Sequence, residues 1–135
     1  MIKKIDHIAI AVRDLDEEIK KYRDILGLDF LGTEVVEDQK VKAAFFCVGD
    51  VKIELTAPTA DDSTIAKFLS KRGSGIHHIA FEVDDVESKI SDFIKKDVRM
   101  IDREPKTGAE GARIAFAHPK NFSGVLFELK EITKP

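Results

Sequence analysis

Ile-His-His-Ile-Ala-Phe-Glu-Val-Asp-Asp, residues 76–85, is a second copy of Ile-Asp-His-Ile-Ala-Ile-Ala-Val-Arg-Asp, residues 5–14. Superposing the two places His78 on His7 (78 − 7 = 71), Ala80 on Ala9, Val83 on Val12 and Asp85 on Asp14. The copies then run on in step. Each opens an amphipathic segment, Leu15 to Leu26 and Val86 to Ile94, and each half closes on an apolar alternating strand with one acid, Val51-Lys-Ile-Glu54-Leu and Val125-Leu-Phe-Glu128-Leu. A repeat of this length dictates architecture before any single residue does. It also pairs His7 with Glu54 and His78 with Glu128.

Working outward from the repeat, residues 5–12 alternate: Ile8, Ile10 and Val12 fall on one face, His7, Ala9 and Ala11 on the other. That is the period of a strand. The aliphatic face is expected to pack on a helix, and the small face with its one imidazole to stay open for a ligand. Asp14 with Glu17 makes a capping box, and an apolar stripe through Leu15, Ile19, Tyr22, Ile25 and Leu26 runs until Gly27 stops the helix. A strand follows over about 28–36. Val41 to Val48 and Val51 to Ala57, joined by Gly49-Asp50, read as a hairpin with Glu54 on the face opposite Val51, Ile53 and Leu55.

Pro58 to Thr64 is a linker, in which Ser63 caps a short helix from Thr64 to Lys71 before Arg72-Gly-Ser-Gly75. The order then repeats: a strand from His77 to Val83, a helix from Asp85 to about Lys96, and a strand from Val98 to Asp102. A loop bearing Gly108 and Gly111 leads to a strand from Arg113 to Ala117, a His118-Pro-Lys120 turn and a last strand from Val125 to Lys130. The fold class is therefore α+β: two tandem βαβββ modules, about 1–58 and 76–135 joined by 59–75, expected to form one domain with a curved eight-stranded half-barrel and a central metal cleft.

At 135 residues the chain is the size of one ordinary domain, and two halves of that length are each marginal alone. Charged residues make up 35% of the chain but nearly balance at net −3, which argues against a nucleic-acid or anionic-membrane surface. One cysteine, Cys47, excludes an internal disulfide, and no apolar run approaches the roughly 20 residues of a membrane span. A charged N-terminal strand in place of a signal peptide points to the cytoplasm.

Two imidazoles and two carboxylates at matched places suit a divalent first-row metal such as Co, Mn, Ni, Fe or Zn. A six-coordinate ion held by four protein ligands keeps two positions for substrate oxygens or water. Taken singly, a histidine in an Ile-rich strand is usually a satisfied core residue, and a strand glutamate usually lies on a solvated face. Repetition changes that weighting, because clustered unpaired carboxylates are costly to bury without a cation. His77 alternates to the other face and reads as structural; His118 precedes Pro119 in a turn and is left undecided.

These residues carry a family resemblance. Asp6-His-Ile-Ala, Glu54-Leu-Thr-Ala-Pro58, Ser63-Thr-Ile-Ala-Lys-Phe68, Gly75-Ile-His-His-Ile-Ala, Glu104-Pro-Lys-Thr-Gly108, His118-Pro-Lys120 and Gly124-Val-Leu-Phe-Glu-Leu together resemble the vicinal oxygen chelate superfamily. Within it the chain is similar to the methylmalonyl-CoA epimerase family over nearly its whole length. The resemblance implies a divalent metal, cobalt first, on His7, Glu54, His78 and Glu128. It implies epimerisation of (2R)- and (2S)-methylmalonyl-CoA through a metal-stabilised enolate, with Glu128 handling one proton. Some relatives carry a further glutamate after a Gln-Gly-Val segment; here that segment is Gln39-Lys-Val41 and the position is Ala43. Gln39, Gly108, Gly111 and Lys120 are expected substrate contacts, and a homodimer the expected assembly. The alternatives are a glyoxalase-type isomerase of a glutathione hemithioacetal, a metal-free small-molecule-binding resistance protein, and an extradiol dioxygenase.

Overall fold

A computed structural model describes residues 1–132. The chain groups into two compact units, His7–His77 and a second made of Met1–Asp6 with the chain from His78 onward. The first strand, β1 (Ile2–Ala11), thus gives its second half to one unit and its first half to the other.

In the unit His7–His77, β1 leads into α1 (Leu15–Lys20), whose N-cap Asp14 accepts from the Glu17 amide. The helix continues as a π turn over Lys21–Ile25 before Gly27, at φ +71°, ends it. β2 (Asp29–Val36) and β3 (Val41–Val48) pair antiparallel, with a register shift between Phe30 and Gly32. β3 pairs antiparallel with β4 (Val51–Pro58) around the Gly49-Asp50 turn, and β4 runs parallel to β1. The strand order is β2-β3-β4-β1. After it comes α2 (Thr64–Arg72), capped by Ser63 Oγ accepting from the Ala66 amide at 3.0 Å. Arg13 donates to the carbonyl of Leu69 at the far end of α2, 3.1 Å away, where a cation meets unfilled carbonyls.

The aliphatic face of these strands packs on α1, as alternation predicts. Val12, Leu15, Ile19, Ala44, Phe46, Leu55 and Ala57 form one buried cluster, joined by Ile10, Tyr22, Leu28 and Ile53. Phe46, with no exposure, is its hub; the Tyr22 and Phe30 rings lie 5.8 and 5.3 Å from it.

In the second unit, β5 (Gly75–Val83) leads to α3 (Val86–Lys95), capped by Asp85 accepting from the Ser88 amide. β6 (Lys106–Thr107), β7 (Arg113–Ala117) and β8 (Phe127–Glu131) follow in the order β5-β8-β7-β6, with β5 parallel to β8. The core repeats the first at the same offset: Val83 for Val12, Val86 for Leu15, Ile90 for Ile19, Ala115 for Ala44. Ala117 stands where the first unit has Phe46, and Met100, bridged to Ala117, joins the cluster there.

The strand expected over 98–102 is not a ladder. Met100 makes a single antiparallel bridge to Ala117; the amides of Ile101 and Asp102 both donate to the Phe116 carbonyl, and the Asp102 carboxylate accepts from the Phe116 amide. With the His118 amide donating to the Arg99 carbonyl on the other side of the bridge, the segment meets the end of β7 through one bridge only, and the edge of the sheet falls to the two-residue β6. The last strand also starts later than expected, at Phe127. Among the described residues no helix is long and apolar enough to cross a membrane.

Phe46→Ala should cost about 3–5 kcal/mol, the usual cost of emptying a fully packed aromatic site. Its urea-denaturation midpoint should fall well below that of the exposed Ile25→Ala, which should change little.

Candidate metal centre

His7 and Glu54 face one another because β1 and β4 run parallel in a register that opposes Ala9 to Glu54. His7 lies two residues before Ala9 and so shares its face. The imidazole Nε2 and the Glu54 Oε2 are 3.2 Å apart, with side chains 4% and 8% exposed. Along the same face the neighbours are small: Ala43 opposes Thr56, which opposes Ala11, while Phe45 opposes Glu54. Thr56 Oγ1 donates to the carbonyl of Ile10.

Ala9, Ala11 and Ala43 are fully buried. Alternation assigns side chains to a face; what covers that face is a tertiary matter.

The same construction recurs in the other unit. β5 and β8 run parallel with Ala80 opposed to Glu128, and His78 lies two residues before Ala80. His78 Nε2 is 2.9 Å from Glu128 Oε1, both side chains 7% exposed. The Phe116 ring, opposite Glu128 on β7, meets the His78 ring edge to face at 5.1 Å and fixes its plane. His77 alternates away as expected, its ring edge to face with Phe68 at 5.0 Å.

Each unit therefore buries one imidazole nitrogen against one carboxylate oxygen. A carboxylate removed from water needs a charge or donor partner, and an imidazole alone meets only part of that need. Nitrogen and oxygen donors in this ratio fit a borderline divalent ion, and the residues present satisfy the chemistry of such a site.

The expected substrate contacts differ in character. Lys120 is exposed in a 3₁₀ turn (Pro119–Phe122), and its amide donates to His118 Nδ1 at 3.0 Å. Asn121 ties that turn to Arg99 through both its amide oxygen and nitrogen. Gly108 is needed for space: a Cβ there would meet Ile114 Cδ1 at 2.8 Å. Gly111 is needed for its φ of +69° in the loop. Gln39 ends a 3₁₀ turn (Glu37–Gln39), half-buried, just before Lys40 in the left-handed conformation. Ala43 presents only a methyl group and carries no titratable proton.

One charged group escaped the sequence reading. Lys130 is 3% exposed on β8, donating to Asp6 Oδ2 at 3.0 Å and to Glu110 Oε1 at 3.1 Å. Burial pulls its pKa down, but Asp6 and then Glu110 outweigh it, and the ammonium is held above its ordinary value. The signal was available: Lys130 follows Glu128 at the strand period, on the face of the one acid singled out.

Residues 6–116 match the Glyoxalase/Bleomycin resistance protein/Dioxygenase superfamily. The chain is similar to the mitochondrial methylmalonyl-CoA epimerase of Dictyostelium discoideum, 40% identical over 96% of this chain and 79% of that one. Among solved structures, methylmalonyl-CoA epimerase from Mycobacterium tuberculosis matches with a TM-score of 0.94 at 38% identity, covering 98% of this chain and 90% of that one. Another, methylmalonyl-CoA epimerase in complex with methylmalonyl-CoA and NH4+, matches with a TM-score of 0.91 at 41% identity, covering 97% and 95%.

His118 should titrate below the ordinary histidine value, because burial, then Arg99, then Lys120 disfavour its charged form. The neutral ring accepts from the Lys120 amide, so the stability of the turn is complete above the ordinary histidine pKa and is lost as pH falls through the depressed one. Imidazole proton shifts followed by NMR should show that midpoint rising in Arg99→Ala.

Proposed function

The chain belongs to the glyoxalase/bleomycin resistance protein/dioxygenase superfamily and, within it, to the methylmalonyl-CoA epimerase family, and from that premise we propose that it interconverts (2R)- and (2S)-methylmalonyl-CoA. The observation that carries the reading is the repeated pair: in each unit an imidazole and a carboxylate, on parallel strands in equivalent register, buried together. His7, Glu54, His78 and Glu128 are the proposed ligands of one divalent ion, cobalt first. A solved relative with methylmalonyl-CoA bound supports a CoA thioester as the substrate class.

The reaction removes the hydrogen between a thioester and a carboxylate and returns a proton to the opposite face. An ion held by these ligands would supply positive charge beside the thioester oxygen on which enolate charge develops. In one direction Glu128 takes the α-proton on its own face, its carboxylate becoming the acid, and in the reverse direction that acid returns a proton to the same face. Ala43 has no proton to offer the other face, so a different acid delivers it there.

Purified protein incubated with methylmalonyl-CoA in deuterated water should place deuterium at the α-carbon and erase optical purity, and a chelator should stop both. No label entry in the metal-replete protein would overturn the assignment. Glu128→Gln, with circular dichroism unchanged, should slow label entry by about 10²- to 10⁴-fold, the usual contribution of a positioned acid or base.

A further inference from the structure

Ala43 offers no proton from β3, but the residue directly opposite it on β2 is an acid, Glu34. Opposed residues of antiparallel strands project to the same face. The row Ala11, Thr56, Ala43 and Glu34 crosses all four strands of the unit, beside the row Ala9, Glu54, Phe45 and Gly32. Glu34 therefore lies on the face that carries His7 and Glu54. Two strand spacings, roughly 9.5 Å, separate it from the strand of Glu54, and on its own row a methyl group is all that stands next to it. Thr33 and Val35, on the opposite face of β2, are exposed; Glu34 is half-buried. The surface beside it is open, because Gly32 brings no side chain and a Cβ there would meet nothing within 4 Å.

The second unit shows how far a long side chain reaches from this place. Lys106 opposes Ile114 as Glu34 opposes Ala43 (114 − 43 = 71), and its ammonium lies 5.1 Å from the ring centroid of Phe116, the residue that opposes Glu128. The same reach from Glu34 leads over Phe45, the residue that opposes Glu54. Asp29, opposite Cys47, is the other acid of β2 on this face, but it is exposed, lies beyond the register shift and is one methylene shorter.

We propose that Glu34 is the catalytic acid for the substrate face that Glu128 does not serve, supplying from the neighbouring strand the proton that Ala43 lacks. The inference rests on the epimerase reading and deepens it. As Glu128 takes the α-hydrogen as a proton, the carboxyl of Glu34 gives its own proton to the opposite face of the enolate. One C–H bond breaks and one forms, and the two carboxyl groups exchange protonation states. The reverse direction runs through the same two groups in the opposite sense. Proton exchange with water resets them between turnovers, and the partial exposure of Glu34 gives it access to that water.

The test follows each epimer of methylmalonyl-CoA separately in deuterated water with the cobalt-loaded protein. Glu34→Gln should slow inversion by about 10²- to 10⁴-fold, while the epimer whose hydrogen faces Glu128 still trades that hydrogen for deuterium with its configuration kept. Loss of inversion with one-sided exchange intact is a signature that a merely structural role would not give. Asp29→Asn should leave inversion and exchange unchanged. Cobalt affinity, followed by the visible absorption of the bound ion, should be the same in Glu34→Gln as in the unsubstituted protein, which also shows that the variant folds. Inversion at an unchanged rate, an equal loss of inversion and of exchange for both epimers, or weakened cobalt binding would each overturn the assignment. The unsubstituted protein separates this claim from the one beneath it. If it inverts both epimers and Glu34→Gln does so equally well, Glu34 falls and the epimerase stands; if it exchanges neither epimer, the epimerase falls and the role of Glu34 with it.

Discussion

A carboxylate taken out of water beside an imidazole is the constraint on which this structure turns, and it is imposed twice. Neither Glu54 nor Glu128 keeps enough solvent to be satisfied by it, so each is held at hydrogen-bonding distance from a histidine two positions off its register partner. A parallel ladder makes that offset natural. Its bonds slant along the strands, and side chains two apart share a face, so a diagonal pair meets without distorting either strand. The alanines that oppose the two acids, Ala9 and Ala80, leave the lateral room that the glutamates occupy.

Everything around the pairs serves to keep them dry and still. Helix α1 covers one side of its sheet through Leu15 and Ile19, and α3 does the same through Val86 and Ile90. With the helical faces sealed by apolar contact, the polar chemistry is confined to the opposite faces. The units differ in detail where volume had to be made up: Phe46 is replaced by Ala117, and Met100 enters the cluster. In the second unit the 98–102 segment meets the end of β7 at a single bridge instead of along a ladder.

Charge is handled by pairing throughout. The buried ammonium of Lys130 would be untenable alone, and removing a partner from such a group usually costs about 3–5 kcal/mol. Two acids answer it, one from the core and one from a loop.

The sequence by itself determined the duplication, the identity of the four histidine and glutamate residues, the caps at Asp14, Ser63 and Asp85, and the helical faces. Each of these is local: a period, a spacing or a side chain bonding three residues on. Tertiary structure decided what covers the small-residue face, where the ladder in the second unit ends, and which charges meet. Ala9 alternates in the same way whether or not its face is buried. Asp6 and Lys130 lie at opposite ends of the chain, and no spacing rule links a strand lysine to an acid so remote. Burial and long-range pairing depend on where separate segments are brought together, and that information belongs to the packed fold, not to any stretch of it.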